Sequence, residues 1–303
     1  VAKINYAFVG FGEPKYYIDD YKGINPFKDK ENKDKIYKGY IDIVITCVDN
    51  LYIGSGFSKL NNNNNNQLYN ETIKHGNEYI ISGSSFKGAI RNIASAVSEA
   101  CLPKLDKEEK NKVTILEENI DCKVRFDRNA KEYKKKLCIV CDMFGAMGYA
   151  SKIIIPDFKV KTADTEGLEL NVQHGPEIND KYKNKDGSSK GYKFYKTYCE
   201  KYDDTSQVRV NTVKKGSEFS GRIYFSNITE YQLSLLLFSM GIDESFDIKL
   251  GGYKNDGLGH VKIKIVDSEI NVDKTPLELA REYPVNTGIR KGQIAKLREI
   301  LKP

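Results

Sequence analysis

The chain has 303 residues, with 48 Lys+Arg against 42 Asp+Glu for a net charge of +6, and 40% of its residues are hydrophobic and 30% charged. That mix suits one large domain or two modest ones with a real core and excludes a wholly disordered chain. No apolar run reaches the roughly 18 residues of a spanning helix, and Val1 to Gly12 lacks the apolar stretch of a signal peptide, so a soluble, cytoplasmic protein with no membrane partner is expected.

The segment to about Lys38 reads as an irregular N-terminal extension (1–38) rich in aromatics, Gly and Pro. A strand follows at Gly39 to Val48, where Ile41, Ile43, Ile45 and Cys47 alternate with Asp42, Val44, Thr46 and Val48. Asn61 to Asn66 are six consecutive asparagines, and the stretch 57–77 reads as a mobile loop. Order resumes with a strand at Glu78 to Ile81, a Ser82-Gly83-Ser84-Ser85 turn and an amphipathic helix with Phe86, Ala89, Ile90, Ile93 and Val97 at helical spacing. Lys104 to Lys136 is a charged surface excursion, and Lys152 to Val160 a further strand.

The stretch 162–207 is polar and too poor in aliphatic residues for a core, which makes it an insertion in a single domain. Strands at Gln207 to Val213 and Glu218 to Phe225 precede a helix near Thr229 to Met240, with Leu233, Leu236 and Leu237 inward. The glycine cluster Gly251 to Gly259 leads into a strand at His260 to Val266, and the tail (268–303) carries one or two short helices. The order β, β, α, β, insertion, β, β, α, β lacks a Rossmann alternation.

Three basic features stand out. Lys87 and Arg91 lie four apart near a helix start, where free N–H groups attract anions; they are either a phosphate clamp or two solvated bases on a capped helix. The glycines at 251, 252, 257 and 259 around Lys254 and Asn255 allow close backbone approach to a sugar-phosphate chain, or simply make a turn. Arg209, Lys214 and Lys215 flank a strand and by themselves read as a solvated edge. Cys138-x2-Cys141 has zinc-knuckle spacing, Cys122 lies upstream, and the fourth ligand is Cys101 or His75; reduced, partly buried cysteines are the alternative. No nucleophile elbow, H-E-x-x-H or kinase motif is present.

Ile81-Ser82-Gly83-Ser84-Ser85-Phe86-Lys87-Gly88-Ala89-Ile90-Arg91 resembles the I-P-G-S-S-[LF]-K-G-x-[LI]-R element of the RAMP superfamily of CRISPR-associated proteins, with Ser82 in place of proline. Cys138 to Gly145 is similar to the family's C-x-x-C-x-L-F-G. Val213 to Ile223 and Lys249 to Val261 resemble its K-x-G-x-x-F-x-G-x-I and G-G-x-x-x-x-G-x-G-x-V elements. Four elements in order are more specific than any one, and Lys190 to Tyr195 is like a stretch of type III-D members.

The resemblance implies an α+β fold, an RRM-like or ferredoxin-like core with insertions. It also implies a backbone subunit of a type III effector complex that holds CRISPR RNA beside other effector subunits and meets complementary target RNA. The RNA contacts it implies are Ser84, Ser85, Lys87, Arg91, Arg209, Lys214, Lys215, Gly251, Gly252, Lys254, Asn255 and Gly257, with Cys101, Cys122, Cys138 and Cys141 holding a structural zinc. Cleaving members carry an aspartate before the G-S-S element. Here Gly54 to Gly83 contains no Asp, only Glu71 and Glu78, so a non-cleaving subunit is expected and Mg²⁺ enters only if the subunit cleaves. The competing readings are a target-RNA endonuclease using Glu71 and a stand-alone RRM-like RNA-binding scaffold, the latter without an aromatic stacking signature.

Overall fold

In the computed structural model of the protein, the residues described are 5–15, 17–21, 36–61, 67–102, 122–129, 132–172, 184, 189–200, 207–286 and 290–303. The alternation of Ile41, Ile43, Ile45 and Cys47 builds core strand β1, Ile36–Cys47, with these side chains buried on one face. The core then runs through α1 (Gly83–Val97), β2 (Phe158–Thr162), β3 (Glu218–Thr229), α2 (Glu230–Ser239) and β4 (His260–Ile270). In the sheet these strands stand in the order β4-β1-β3-β2, each antiparallel to its neighbour. A β-α-β-β-α-β chain in that order is the ferredoxin-like arrangement.

The apolar faces explain the layering. Ile263, Ile45 and Phe219 fall in register across β4, β1 and β3, as do Ile265, Ile43 and Gly221. A side chain at Gly221 would sit 2.5 Å from the Phe158 ring, so the glycine makes room for that fully buried ring, which packs 4.8 Å from Phe86 of α1. Phe86, Ile90, Ile93 and Val97 seat α1 on the sheet at the spacing the sequence shows. The α2 helix opens with a Thr229/Gln232 capping box and is buried from Gln232 to Ser239 because the helix Pro276–Asn286 covers its outer side. Tyr283 of that helix donates to the Val97 carbonyl at 2.8 Å, tying it to α1.

Three expectations change. The strand expected over Lys152 to Val160 breaks at 155–157 into Ile153–Ile154 and β2, because Pro156 has no N–H for a ladder. The 57–77 stretch expected as a loop is largely a hairpin, Gly54–Asn61 paired with Gln67–Thr72, and the heart of the asparagine run, 62–66, lies outside the described residues. Leu60 opposite Leu68 and Lys59 opposite Tyr69 supply cross-strand pairs that the asparagines alone lack. This hairpin joins Gln207–Val213 and Thr165–Asn171 in a four-stranded side sheet, with Gln207–Val213 parallel to Gln67–Thr72. Residues 103–121, most of the charged excursion, and 173–183 and 201–206 of the polar insertion also lie outside the described residues. A two-stranded ribbon pairs Tyr6–Val9, in the stretch expected to be irregular, with Tyr192–Tyr195 beside the helix Lys291–Ile300.

Candidate nucleic-acid interface

The N-terminus of α1 is set by Ser82, whose Oγ accepts from the Ser85 N–H at 3.3 Å. Gly83 N donates to Asp157 Oδ1 at 2.9 Å, and a side chain there would lie 2.0 Å from the Ile155 carbonyl, so only glycine fits. Ser84 and Ser85 are exposed, and no acidic residue occupies the first turn. At about 100° per residue, Ser85, Gly88, Ala89 and Asn92 share one flank of the helix and Lys87 and Arg91 the other.

That division decides the partners of the basic pair. Lys87 Nζ donates to Ser151 Oγ at 2.7 Å and to the Ile153 carbonyl at 3.0 Å, and burial, with Arg91 adding repulsion, lowers its pKa. Arg91 Nη2 donates to the Gly145 carbonyl at 3.1 Å and to Cys141 Sγ at 3.4 Å. Both cations are thus turned into the 139–153 segment.

The glycine loop is shaped by its own chain. Gly251 has φ +76°, and a side chain there would meet the Tyr52 carbonyl at 2.0 Å; Gly252 N donates to that carbonyl at 2.8 Å. Tyr253 holds a left-handed φ of 51° and packs on Tyr52 with ring centroids 5.3 Å apart. A single turn, Lys254–Asp256, follows and closes at Gly257, φ +94°. Asn5, almost fully buried, donates from Nδ2 to the carbonyls of Asn255 and Glu200, both at 2.8 Å, so the loop is clamped to the chain beyond Tyr192–Tyr195.

Between this loop and the Ser85/Gly88/Asn92 flank of α1 lies a groove of about 550 Å³. It brings together Ser85, Gly251, Gly252 and Lys254, expected as RNA contacts, with Lys193, Tyr195 and Lys249, which lie in family-like stretches but were not expected as contacts. Among the described residues lining it there is no carboxylate. A neighbouring cavity of about 540 Å³ holds Lys215 and Gly257. Arg209 and Lys214 line neither: Lys214 is paired with Asp164 at 2.8 Å, and Arg209 lies in the side sheet opposite Glu169.

On the opposite flank of α1 four sulfurs converge. The Sγ atoms of Cys101, Cys122, Cys138 and Cys141 all lie within 4.8 Å of one another, and those of Cys101 and Cys141 are 3.6 Å apart. A tetrahedral site with ~2.3 Å metal–sulfur bonds sets its sulfurs ~3.8 Å apart, so the set fits a zinc-sized ion with all-thiolate ligands. Cys138 N donates to Cys122 Sγ at 3.1 Å and Cys141 N to Cys138 Sγ at 3.4 Å, backbone support of the kind a thiolate needs. The facing thiols of Cys101, Cys122 and Cys141 pull the Cys138 pKa down. Of the two candidates for the fourth position the fold brings in Cys101; His75 is exposed on the short strand Lys74–His75.

Glu71 is buried and held by Lys59 at 2.8 Å and Lys74 at 3.5 Å; burial opposes its charge, but these two lysines outweigh it and lower the pKa. Among the described residues the cysteine set is the one group of three or more side chains placed to hold a metal, and no helix is long and apolar enough to cross a membrane.

No curated protein matches the chain. The sequence profile of the RAMP superfamily matches residues 44–262, a span that runs from β1 into β4 and takes in the helix, the cysteine set and the glycine loop. With a ferredoxin-like core and that match over most of its length, the chain belongs to the RAMP superfamily, a family of CRISPR-associated RNA-binding modules.

Proposed function

We propose that the protein is a CRISPR RNA-binding backbone subunit of a type III interference complex, which holds the guide beside other effector subunits while the guide pairs with complementary target RNA. The observation that carries this reading is the groove between the α1 N-terminus and the glycine loop, with three lysines and, among the described residues, no carboxylate in its lining. A groove of that kind holds phosphates and backbone while leaving base edges free for pairing, which is the division of labour of RNA-guided recognition. Ser85, Gly251, Gly252 and Lys254 are its contacts in this reading, with Ser84 at its rim and Lys215 and Gly257 extending it into the adjoining cavity.

The subunit itself is non-cleaving in this proposal. The interval Gly54 to Gly83, where cleaving members carry an aspartate, contains none, and its Glu71 is paired with Lys59 and Lys74. The four cysteines hold a structural zinc, which when bound supplies a cross-link between the chain at Cys101, the strand leading to Cys138 and the turn at Cys141.

Purifying the protein from a host carrying its neighbouring genes and sequencing the bound nucleic acid tests the reading. Short RNAs sharing one repeat-derived end are expected; heterogeneous RNA, or none, overturns it. Incubating that complex with complementary RNA and Mg²⁺ is expected to give no cut that depends on Glu71, and cleavage abolished by Glu71→Ala would overturn the non-cleaving role.

A further inference from the structure

One of the six cysteines is neither in the metal set nor sealed in the core. Cys101, Cys122, Cys138 and Cys141 form the set, and Cys47 is 1% exposed, with burial pushing its thiol pKa up to about 12. Cys199 is half-buried and borders the cavity of about 540 Å³, so a molecule as small as hydrogen peroxide has a path to its sulfur.

That thiol has a nucleophile beside it. Lys249, in the short strand Ile248–Lys249 and only 7% exposed, brings its Nζ to 3.4 Å from Cys199 Sγ. Cys199 Sγ lies 3.2 Å from the Lys196 carbonyl and 3.4 Å from the Lys254 carbonyl, both in reach of its S–H, and Lys249 Nζ donates to the Lys254 carbonyl at 3.3 Å. The shared acceptor holds sulfur and nitrogen side by side. Burial, against the opposing pull of Cys199 and Asp49, lowers the Lys249 pKa, which enlarges the neutral fraction that can attack.

We propose that Cys199 and Lys249 are an oxidative modification site, at which hydrogen peroxide joins Cys199 Sγ to Lys249 Nζ by a covalent S–N bond. In the first step the sulfur attacks one peroxide oxygen: the S–O bond forms, the O–O bond breaks, and the other oxygen leaves as water with the thiol proton. Sulfur is oxidised to the sulfenic acid and the peroxide is reduced. In the second step the lone pair of Nζ attacks the sulfenic sulfur: the S–N bond forms, the S–O bond breaks, and the hydroxyl leaves as water with a proton from nitrogen. A dithiol reverses the link, restoring the thiol and the amine while it is itself oxidised to a disulfide. The link ties together residues 50 positions apart and withdraws the Lys249 charge from the groove. It goes beyond the groove reading, because it needs neither RNA nor another subunit.

The test treats the full chain, supplied with zinc, with hydrogen peroxide, digests it without reductant and maps the peptides by mass spectrometry. The expected product is a pair of peptides joined through Cys199 and Lys249, lighter than their sum by two hydrogen atoms and separated by dithiothreitol. Cys199→Ser and Lys249→Arg are each expected to lose the joined pair, and Lys249→Arg to hold Cys199 as a sulfenic acid that dimedone traps. In wild type, dimedone-trapped Cys199 with no joined pair would overturn the proposal, as would Cys199 found in a disulfide or left as a free thiol. A joined pair that persists in Lys249→Arg would overturn the part assigned to Lys249. Should either variant fail to fold, the wild-type map decides by itself.

Discussion

The two flanks of α1 treat the same kind of side chain in opposite ways. On the cysteine flank, Lys87 and Arg91 are matched by carbonyls, a hydroxyl and a sulfur, and every donor drawn there holds the chain together. On the groove flank, Lys249 and Lys254 face a cavity with no acid among the described residues of its lining. A basic residue in a recognisable motif is therefore not a sign of a ligand contact; Arg91 and Lys249 alike donate to a carbonyl and a sulfur, and what separates the flanks is Lys254, which makes no side-chain hydrogen bond among the described residues.

The largest effect expected is on the cysteine flank. Cys141→Ser removes one sulfur of four and leaves Arg91 without its thiolate partner, so zinc content should fall to a small fraction of an equivalent and the melting temperature by on the order of 10 °C, equivalent to about 3 kcal/mol or more in a chain of this size. Metal analysis with a thermal melt reads both, and full retention of zinc would refute the proposed ligand set.

Next comes Gly251→Ala, on the groove flank. The new Cβ would meet the Tyr52 carbonyl at 2.0 Å with φ at +76°, so the loop must shift, at about 3 kcal/mol, and RNA affinity should fall with it. Wild-type stability in this variant would mean that the glycine is there for a ligand and not for the turn.

Arg91→Met sharpens the contrast directly. The two hydrogen bonds it loses predict a destabilisation of about 2 kcal/mol and faster zinc release to a chelator, with RNA affinity changed less than by Lys249→Met. The reverse ranking would restore Arg91 to the phosphate clamp that its spacing suggests.

The smallest effect is a pH dependence. His260 is buried, which disfavours its charge, yet Asp247 at 2.7 Å and Asp49 at 3.7 Å outweigh burial and raise its pKa above 6.5. A raised folded-state value means that this stabilisation is complete below pH 6.5 and is lost as pH rises through the raised value. Thermal melts across that window should fall in wild type and fall less in His260→Gln; parallel curves would show that His260 is neutral in the fold.

Much of the fold was legible because its signals are local. The alternation at Ile41, Ile43, Ile45 and Cys47 and the helical spacing of Phe86, Ile90, Ile93 and Val97 each name a buried face without reference to the rest of the chain. The asparagine run misled because composition describes residues one at a time, whereas the hairpin at Gly54–Asn61 is held by pairing with Gln67–Thr72 and by the side sheet beyond it. In the site, Gly251 and Gly252 were legible as a place of close approach, but what approaches most closely is the Tyr52 carbonyl of the same chain. Lys249 stands in the sequence only as the first residue of the glycine-rich element, and nothing local to it signals that it is buried.

By itself the sequence determined the order of the core strands and helices and three of the four cysteines, since hydrophobic period, cap residues and C-x2-C spacing act over a few residues. The tertiary structure decided the choice of Cys101 as fourth sulfur, the inward turn of Lys87 and Arg91, and the burial of Lys249 against Cys199. The reason is physical: whether a charge is solvated, paired or stranded depends on residues far along the chain, Ser151 lying 64 positions from Lys87 and Cys199 lying 50 from Lys249, and local patterns carry no record of such encounters.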